Sequence, residues 1–165
     1  MRLAIKEARK SLKTLGGGPF GSCIVKSGKV VAACGNTVFK EDATCHAEVN
    51  AIRIASKKLG TYDLSGCVIY TTTEPCPMCF SAIHWSGISC IVFGTRIADA
   101  TKAGFNELSI SARSMKRQGG ACVKIHSGFL KQECRQLFQD WKELERKKQG
   151  LVNHRSPYFF KGPKK

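Results

Sequence analysis

Short β-rich runs and helical runs alternate along this chain from residue 20 onward, and this alternation limits the fold more than any other feature. Two β-rich runs around "KSGK" have the pattern of a hairpin. Three further apolar runs, "CVIYTTT", "ISCIVFG" and "ACVKIH", are separated by helical patterns. Strands joined through helices run parallel and need helices on both faces of their sheet. The sequence therefore predicts an α/β fold in which a five-stranded mixed sheet is covered by helices on both faces.

The first and last predicted helices carry apolar stripes that indicate packing against such a sheet. In the N-terminal segment the stripe consists of Leu3, Ala4, Ala8, Leu12 and Leu15. In the long C-terminal helix it consists of Leu130, Cys134, Leu137, Phe138, Trp141 and Leu144. Both patterns favour helices that bury one face in a core.

The 165 residues suit a single domain, which we predict to span residues 1–148, followed by a basic, proline-containing tail at 149–165. No apolar run approaches the roughly 20 residues of a membrane span, so we expect no membrane partner. The N-terminus mixes charges into its apolar positions and does not resemble a secretory signal.

The formal net charge of +15 is concentrated in the C-terminal third of the chain. Residues 1–110 contain 13 Lys and Arg against 8 Asp and Glu, whereas residues 111–165 contain 14 against 4. Such a surface can simply be well solvated, or it can attract a polyanion such as RNA. Charge alone leaves both interpretations open.

Nine cysteines are present, and two of them stand apart in "TEPCPMC" as Cys76 and Cys79. The other seven are scattered, most of them within apolar stretches, where a free thiol behaves as a small hydrophobic side chain. We interpret them as core or near-core thiols of a protein in a reducing compartment, and we expect a cytoplasmic location.

A C-x-x-C pair is found in redox sites, in structural zinc sites and in catalytic metal sites. The segment "CHAE" offers a third ligand, His46, where a helix begins, with Glu48 two residues later. Cys76 and Cys79 begin the next helix, and ligands of α/β folds gather at such helix starts. Three protein ligands leave a zinc ion with an open position for water, and Glu48 can then transfer protons. The pattern thus indicates a catalytic zinc site.

The order H-x-E followed by P-C-x-x-C is the signature of zinc-dependent base deaminases. On this motif, and on "GGGPFGSCIV", "GNTVFKEDATCHAEVNAIR", "LSGCVIYTTTEPCPMCFSAIHW" and "AGFNEL", the chain resembles the cytidine-deaminase-like superfamily. "AGFNEL" is most similar to bacterial guanine deaminases and related nucleoside deaminases. "VKIHSGFLKQECRQLF" instead resembles the end of the tRNA adenosine deaminases.

The resemblance implies a three-layer α/β/α fold, bound Zn²⁺ and hydrolytic removal of an exocyclic amine. It assigns the metal to His46, Cys76 and Cys79, and proton transfer to Glu48. The positions that it implies for substrate binding are Asn36, the backbone of Ala47, Phe20, Trp85 and Glu107, the last of which is Asp in many relatives.

The resulting expectation is an enzyme that converts guanine to xanthine and ammonia, and the resemblance also suggests a homodimer. One alternative is a tRNA adenosine deaminase, for which the basic C-terminal half would contact RNA. Another is a cytosine or nucleoside deaminase of the same superfamily. A zinc-containing binding protein without catalysis is the remaining alternative, and Glu48 argues against it because binding alone needs no acid/base group beside the metal.

Overall fold

A computed structural model describes residues 1–149 of the protein. Apart from its first residue, the predicted tail at 149–165 lies outside the described residues. In chain order the elements are α1 (Arg2–Lys13), β1 (Gly21–Lys26), β2 (Lys29–Gly35), α2 (Ala47–Leu59), β3 (Cys67–Thr73), α3 (Pro77–Trp85), β4 (Cys90–Thr95), α4 (Ile97–Ala103), α5 (Ala112–Gln118), β5 (Lys124–Ser127) and α6 (Lys131–Gln149).

The five strands form one mixed sheet in the order β2-β1-β3-β4-β5. β1 is antiparallel to both β2 and β3, whereas β3, β4 and β5 run parallel. The crossover through α2 therefore joins two strands of the same direction, β2 and β3, and places β1 between them. The predicted five-stranded mixed sheet is confirmed.

Helices cover both faces of the sheet and create a core on each. On one face α2, α3 and α5 pack over the larger apolar cluster, in which Ile69, Ile91 and Phe93 of the sheet are central. On the other face α1, α4 and α6 pack together, with Leu137 and Phe138 of α6 among their buried side chains. This is the expected α/β/α arrangement.

The stripe predicted on α6 is buried at Cys134, Leu137, Phe138 and Trp141. The stripe predicted on α1 is only partly buried: Ala4, Ala8 and Leu12 lie in the core, but Leu3 and Leu15 are exposed. Leu15 lies beyond the helix, which ends at Lys13, and it has a positive φ of 54°.

Local sequence explains where the two site-bearing helices begin and end. α2 ends at Gly60, whose φ of 68° is readily adopted by glycine, and Lys57 and Lys58 lie in its last turn. α3 begins with Pro77 at its first position, where the missing N–H costs no helical hydrogen bond. Within residues 1–149, no helix combines the length and the apolar character needed to cross a lipid bilayer.

Candidate active site

His46, Cys76 and Cys79 come together although 30 residues separate the first two. His46 is the N-cap of α2, Cys76 is the N-cap of α3, and Cys79 lies within the first turn of α3. Each helix follows a strand of the sheet, so the two helix starts meet at one end of the sheet. The chain therefore brings its predicted metal ligands to one place through two helix N-termini.

The donor atoms of these three residues have the chemistry and spacing of a zinc site. The Sγ atoms of Cys76 and Cys79 lie 3.7 and 3.5 Å from His46 Nδ1. All three donor atoms lie within 4.8 Å of one another, so one ion can reach each of them. Two thiolates and one imidazole suit Zn²⁺ and leave its fourth position for water.

The two thiols differ in pKa. A hydrogen bond with Cys79 lowers the pKa of Cys76 to about 4, and the hydrogen bond with His46 adds to this effect. The same contact with Cys76, together with burial, raises the pKa of Cys79. Burial acts to lower the pKa of His46, but its hydrogen bond with Cys76 and the nearby Glu48 charge raise it above its usual value. Of the two thiols, Cys76 is thus the one that ionises more readily.

Glu48 lies beside this group, on the first turn of α2, and is only 6% exposed. Thr71 of β3 donates a hydrogen bond to its Oε1 at 2.6 Å, and the Cys79 thiol lies 3.5 Å from its Oε2. Burial raises the pKa of the Glu48 carboxyl above its usual value, which is expected of a group that must both accept and release a proton.

Asn36 lies at the end of β2 and is buried. Its Oδ1 accepts a hydrogen bond from the Val38 backbone N–H at 3.0 Å. Gly17 packs so closely against this amide that a Cβ atom at residue 17 would overlap Asn36 Oδ1. The glycine run at 16–18 therefore makes room for the Asn36 side chain.

Phe20 and Glu107 are two further predicted substrate contacts. Phe20 contacts Phe105 edge-on, with ring centroids 4.9 Å apart. A Cβ atom on Gly18 would lie 2.7 Å from the Phe20 ring, so this glycine also makes room for a side chain. Burial, followed by the Cys76 charge, raises the pKa of the Glu107 carboxyl to about 7, and His46 acts in the opposite direction. These influences place Glu107 near the metal group.

The other two predicted substrate contacts differ in position. Ala47 is fully buried as the first residue of α2, so its N–H has no partner within the helix. Trp85 ends α3, at the opposite end from Cys76, and is 79% exposed. Within one chain, Trp85 is therefore not part of the group formed by the metal ligands and Glu48.

Two further polar residues support the site and were not predicted. Thr71 holds Glu48, as described above. Asn50 Nδ2 lies within hydrogen-bond distance of Gly35 O, Thr37 Oγ1 and Cys45 O, and so ties the residues flanking Asn36 to the residue before His46. A threonine in the buried strand "CVIYTTT" is a usable sequence signal, because buried hydroxyls need partners. Asn50 has no comparable signal.

Residues 1–95 match the cytidine and deoxycytidylate deaminase zinc-binding region. This match covers more than half of the chain and contains Glu48 and all three predicted metal ligands. The chain belongs to this family of zinc-dependent deaminases. It is therefore an enzyme that hydrolyses an exocyclic amine, and its cofactor is zinc.

Relatives of this deaminase differ in substrate. It is 39% identical to guanine deaminase of Bacillus subtilis over 134 aligned residues, and this alignment covers 81% of this chain and 85% of that one. It is 35% identical over 150 residues to the tRNA-specific adenosine deaminase of the same organism, at 90% of each chain. The structure also resembles that of guanine deaminase from Nitrosomonas europaea, with a TM-score of 0.76 and 28% identity, over 85% of this chain and 81% of that one. The family is established, and the base is a separate question.

Proposed function

We propose that this deaminase converts guanine to xanthine with release of ammonia. The observation that carries the proposal is the Glu107 carboxylate, which lies near the metal group and has no hydrogen-bond partner among residues 1–149. A half-buried carboxylate without a donor is costly unless a ligand supplies one. Glu107 is therefore suited to accept N–H groups from a substrate.

Guanine satisfies such a carboxylate better than the other amine-bearing bases. Its reacting carbon carries the amine that leaves, and the adjacent N1–H is a second donor on the same edge. In adenine and cytosine the ring nitrogen beside the amine is an acceptor, which would face the carboxylate unfavourably. A site that hydrogen-bonds both donors rejects a base that lacks one.

Asn36 favours the same base from another side. Because its Oδ1 already accepts from Val38, the group left for a substrate is the NH₂, which only donates. The O6 and N7 atoms of guanine are both acceptors on one edge of the ring. We assign this edge to Asn36, and the stacking surface of the base to Phe20.

Proton transfer in the proposed reaction belongs to Glu48. Bound zinc lowers the pKa of a water molecule toward neutrality and so makes it a nucleophile at physiological pH. Glu48 accepts the proton of the attacking water and delivers it to the ring nitrogen next to the reacting carbon. Glu48 then takes the second proton from the hydroxyl newly bound to the reacting carbon and gives it to the amine, which leaves as ammonia as the C–N bond breaks and the C=O bond of xanthine forms. The Thr71 hydroxyl holds Oε1 in place during both transfers. His46, Cys76 and Cys79 are the proposed ligands.

We also propose a homodimer, as the resemblance suggests. Trp85 and Tyr62 are both strongly exposed. The segments that contain them lie side by side, because the Leu64 N–H donates a hydrogen bond to Ser86 O at 2.7 Å. Exposed aromatic side chains are typical of interface cores. Sedimentation of the wild-type protein and of Trp85→Ser tests this: the variant should shift toward monomer, and a wild-type monomer at all concentrations would contradict it.

The substrate assignment is tested by ammonia release from guanine, guanosine, adenine, cytosine and cytidine with the zinc-loaded protein. Guanine should be the preferred base. Glu107→Gln should lower kcat/KM for guanine at least about 100-fold, because its NH₂ meets substrate donors. Glu143→Gln, an exposed acid on α6, is the matched control and should leave kcat/KM unchanged. Preference for adenine or cytosine would overturn the guanine assignment.

Adenosine in tRNA is the second candidate substrate, favoured by the +15 net charge and by the tRNA-specific relative described above. A tRNA anticodon stem-loop belongs in the same assay, with inosine as the product measured. Phosphate contacts make RNA binding fall steeply with salt, whereas a free base is nearly unaffected. If the protein acts on the stem-loop alone, and this activity is lost as the salt concentration rises, then adenosine in tRNA is the substrate and the guanine assignment is wrong.

A further inference from the structure

Glu74 is a buried carboxylate without a cation. It lies two residues before Cys76, is 8% exposed, and forms no ion pair with Lys or Arg in the described part of the chain. Buried carboxylates are rare unless they are paired or fully hydrogen-bonded. The partners of Glu74 therefore need an explanation beyond ordinary surface charge.

Both of its oxygen atoms accept backbone hydrogen bonds from helix starts. The Ile97 N–H donates to Oε2 at 3.2 Å, and the Ala112 N–H donates to Oε1 at 3.0 Å. These are the first residues of α4 and α5, whose N–H groups have no partner within their helices. The Glu74 backbone N–H in turn donates to Thr95 O at 2.8 Å. One side chain thus joins the end of β3 to the beginnings of two later helices.

These two anchors bracket the segment that contains Glu107. Between α4 and α5, Phe105 packs against Phe20 and Phe138, but on the other side of Glu107 the apolar side chains are exposed, Leu108 to 64% and Ile110 to 43%. Local backbone bonds such as Glu107 N to Phe105 O, at 3.1 Å, span only neighbouring residues. The packing of Phe105 fixes one side of Glu107, and on the other side its position relative to the metal group depends on how the start of α5 is held.

We propose that Glu74 is a positioning residue for substrate recognition: it fixes the segment bearing Glu107 in register with the ligand Cys76. Glu74 and Cys76 are separated only by Pro75, so the anchor and the metal ligand belong to one short, stiff piece of chain. The inference rests on the proposed role of Glu107, and it adds the residue that keeps this carboxylate at the distance that recognition requires.

Glu74→Gln tests the proposal, because the amide keeps one acceptor but turns an NH₂ group toward the second backbone N–H. We expect unchanged zinc content, a KM for guanine raised about tenfold, and a smaller change in kcat. If Glu74 acts through Glu107, the double variant with Glu107→Gln should be no worse than Glu107→Gln alone. If the fold-losses of the two single variants multiply in the double variant, the two residues act independently and the proposal is overturned. A Glu74→Gln protein with wild-type KM would also overturn it.

Ser111→Ala is the matched control for a merely structural effect. It removes the cap that Ser111 Oγ provides to Ser114 N at 3.1 Å, and it leaves both Glu74 bonds intact. We expect a lower melting temperature with little change in KM. An equal rise in KM for this variant would show that any loosening of α5 suffices, and would count against a specific role of Glu74.

Hydrogen exchange of the wild-type protein keeps the test independent of substrate and of variant folding. The amides of Ile97 and Ala112 should exchange at least about tenfold more slowly than the amides of the exposed residues 106, 108 and 109. Rapid exchange at both anchors would contradict the inference even in a protein that deaminates guanine. If guanine is not a substrate, the proposed function fails separately, and the KM comparison is made with the base that is turned over.

Discussion

Glu48 is buried beside the metal group, and its contacts are a hydroxyl and a thiol instead of a Lys or Arg side chain. This environment is suited to proton transfer and is not needed for holding zinc. Glu48→Ala should therefore retain one equivalent of zinc and lose at least about 10³-fold in kcat, within the usual range for a general acid/base. Metal analysis combined with ammonia release measures both properties. A zinc-loaded Glu48→Ala protein with wild-type turnover would be incompatible with the assignment.

Gly17 offers a test of the substrate pocket that leaves the metal ligands untouched. The Asn36 amide occupies the space that a Cβ atom of residue 17 would need, so Gly17→Ala should displace the Asn36 side chain. We expect KM for guanine to rise at least about tenfold with normal zinc content, since a lost polar contact costs about 1–3 kcal/mol.

Gly16→Ala is the control for this change, because the nearest atom to its Cβ would be Asn36 O at 3.3 Å, a contact that needs only a small adjustment. Its effect on KM should be smaller. Equal effects of both substitutions would indicate a general distortion of the glycine run and would remove the support for Asn36 as a contact of the base.

At the scale of elements, α4 depends on Asp99. This carboxylate accepts from Arg96 N at 3.0 Å and pairs with Arg135 of α6 at 3.0 Å. Burial acts to raise the pKa of Asp99, but these two interactions lower it below its usual value. The ionised form thus stabilises the fold above the unfolded-state pKa of about 4. This contribution is lost as pH falls through the lower folded-state pKa.

Asp99→Asn should accordingly lower the free energy of unfolding by about 1 kcal/mol at pH 7. The difference between variant and wild type should shrink as pH falls below about 4, where the wild-type carboxylate also becomes protonated. Urea unfolding of both proteins at several pH values measures this difference. The titration of the proposed metal ligands affects both proteins equally and therefore cancels. A difference that stays constant down to pH 2 would contradict the role of the Asp99 charge.

Most helices and strands could be predicted from the spacing of apolar residues, with the exception of one short helix. α5 (Ala112–Gln118) was not predicted, since its sequence "ARSMKRQ" has no apolar stripe and only Ala112 is buried. Its start is fixed by the Ser111 cap and by the distant Glu74, 38 residues earlier. The serine is a local signal that was available, but a hydrogen bond across 38 residues leaves no periodic trace in the sequence.

The candidate site shows the same limit. The spacing of His46, Glu48, Cys76 and Cys79 sufficed to propose one metal site, because each lies at a helix start with its own sequence signal. For Thr71 the sequence signals only a buried hydroxyl in need of a partner, and the structure identifies that partner as Glu48. For Trp85 the position in the sequence does not show which way the side chain points. The structure places this side chain on the surface, away from the metal group of its own chain.

At the scale of the whole molecule, the proposed metal ligands belong to two helices that are distant in sequence, so a bound ion would join these helices. A link between His46 and Cys76 closes a loop of 30 residues. By analogy with other cross-links, this is worth roughly 3 kcal/mol. Chelation of zinc should therefore lower the melting temperature by about 6–12 °C, and added zinc should restore it. Scanning calorimetry with and without chelator measures the shift.

Cys79→Ser serves as the control for chelation. This variant should already melt near the temperature of the chelated wild type and respond little to chelator, whereas Glu48→Ala should respond as the wild type does. An unchanged melting temperature after complete removal of zinc would mean that the ion contributes to chemistry alone.

Part of the proposed substrate recognition is separated from the chemistry in the linear order of the described chain, although Asn36 and Phe20 lie among the chemical residues. Every proposed metal ligand and the proton carrier lie before residue 80, whereas Glu107 lies in a later stretch anchored by Glu74. In evolutionary terms such an arrangement is modular. Mutation or insertion between residues 98 and 111 can change which base is accepted while the hydrolytic apparatus is inherited intact, so a family of this design can diversify its substrates without reinventing its reaction.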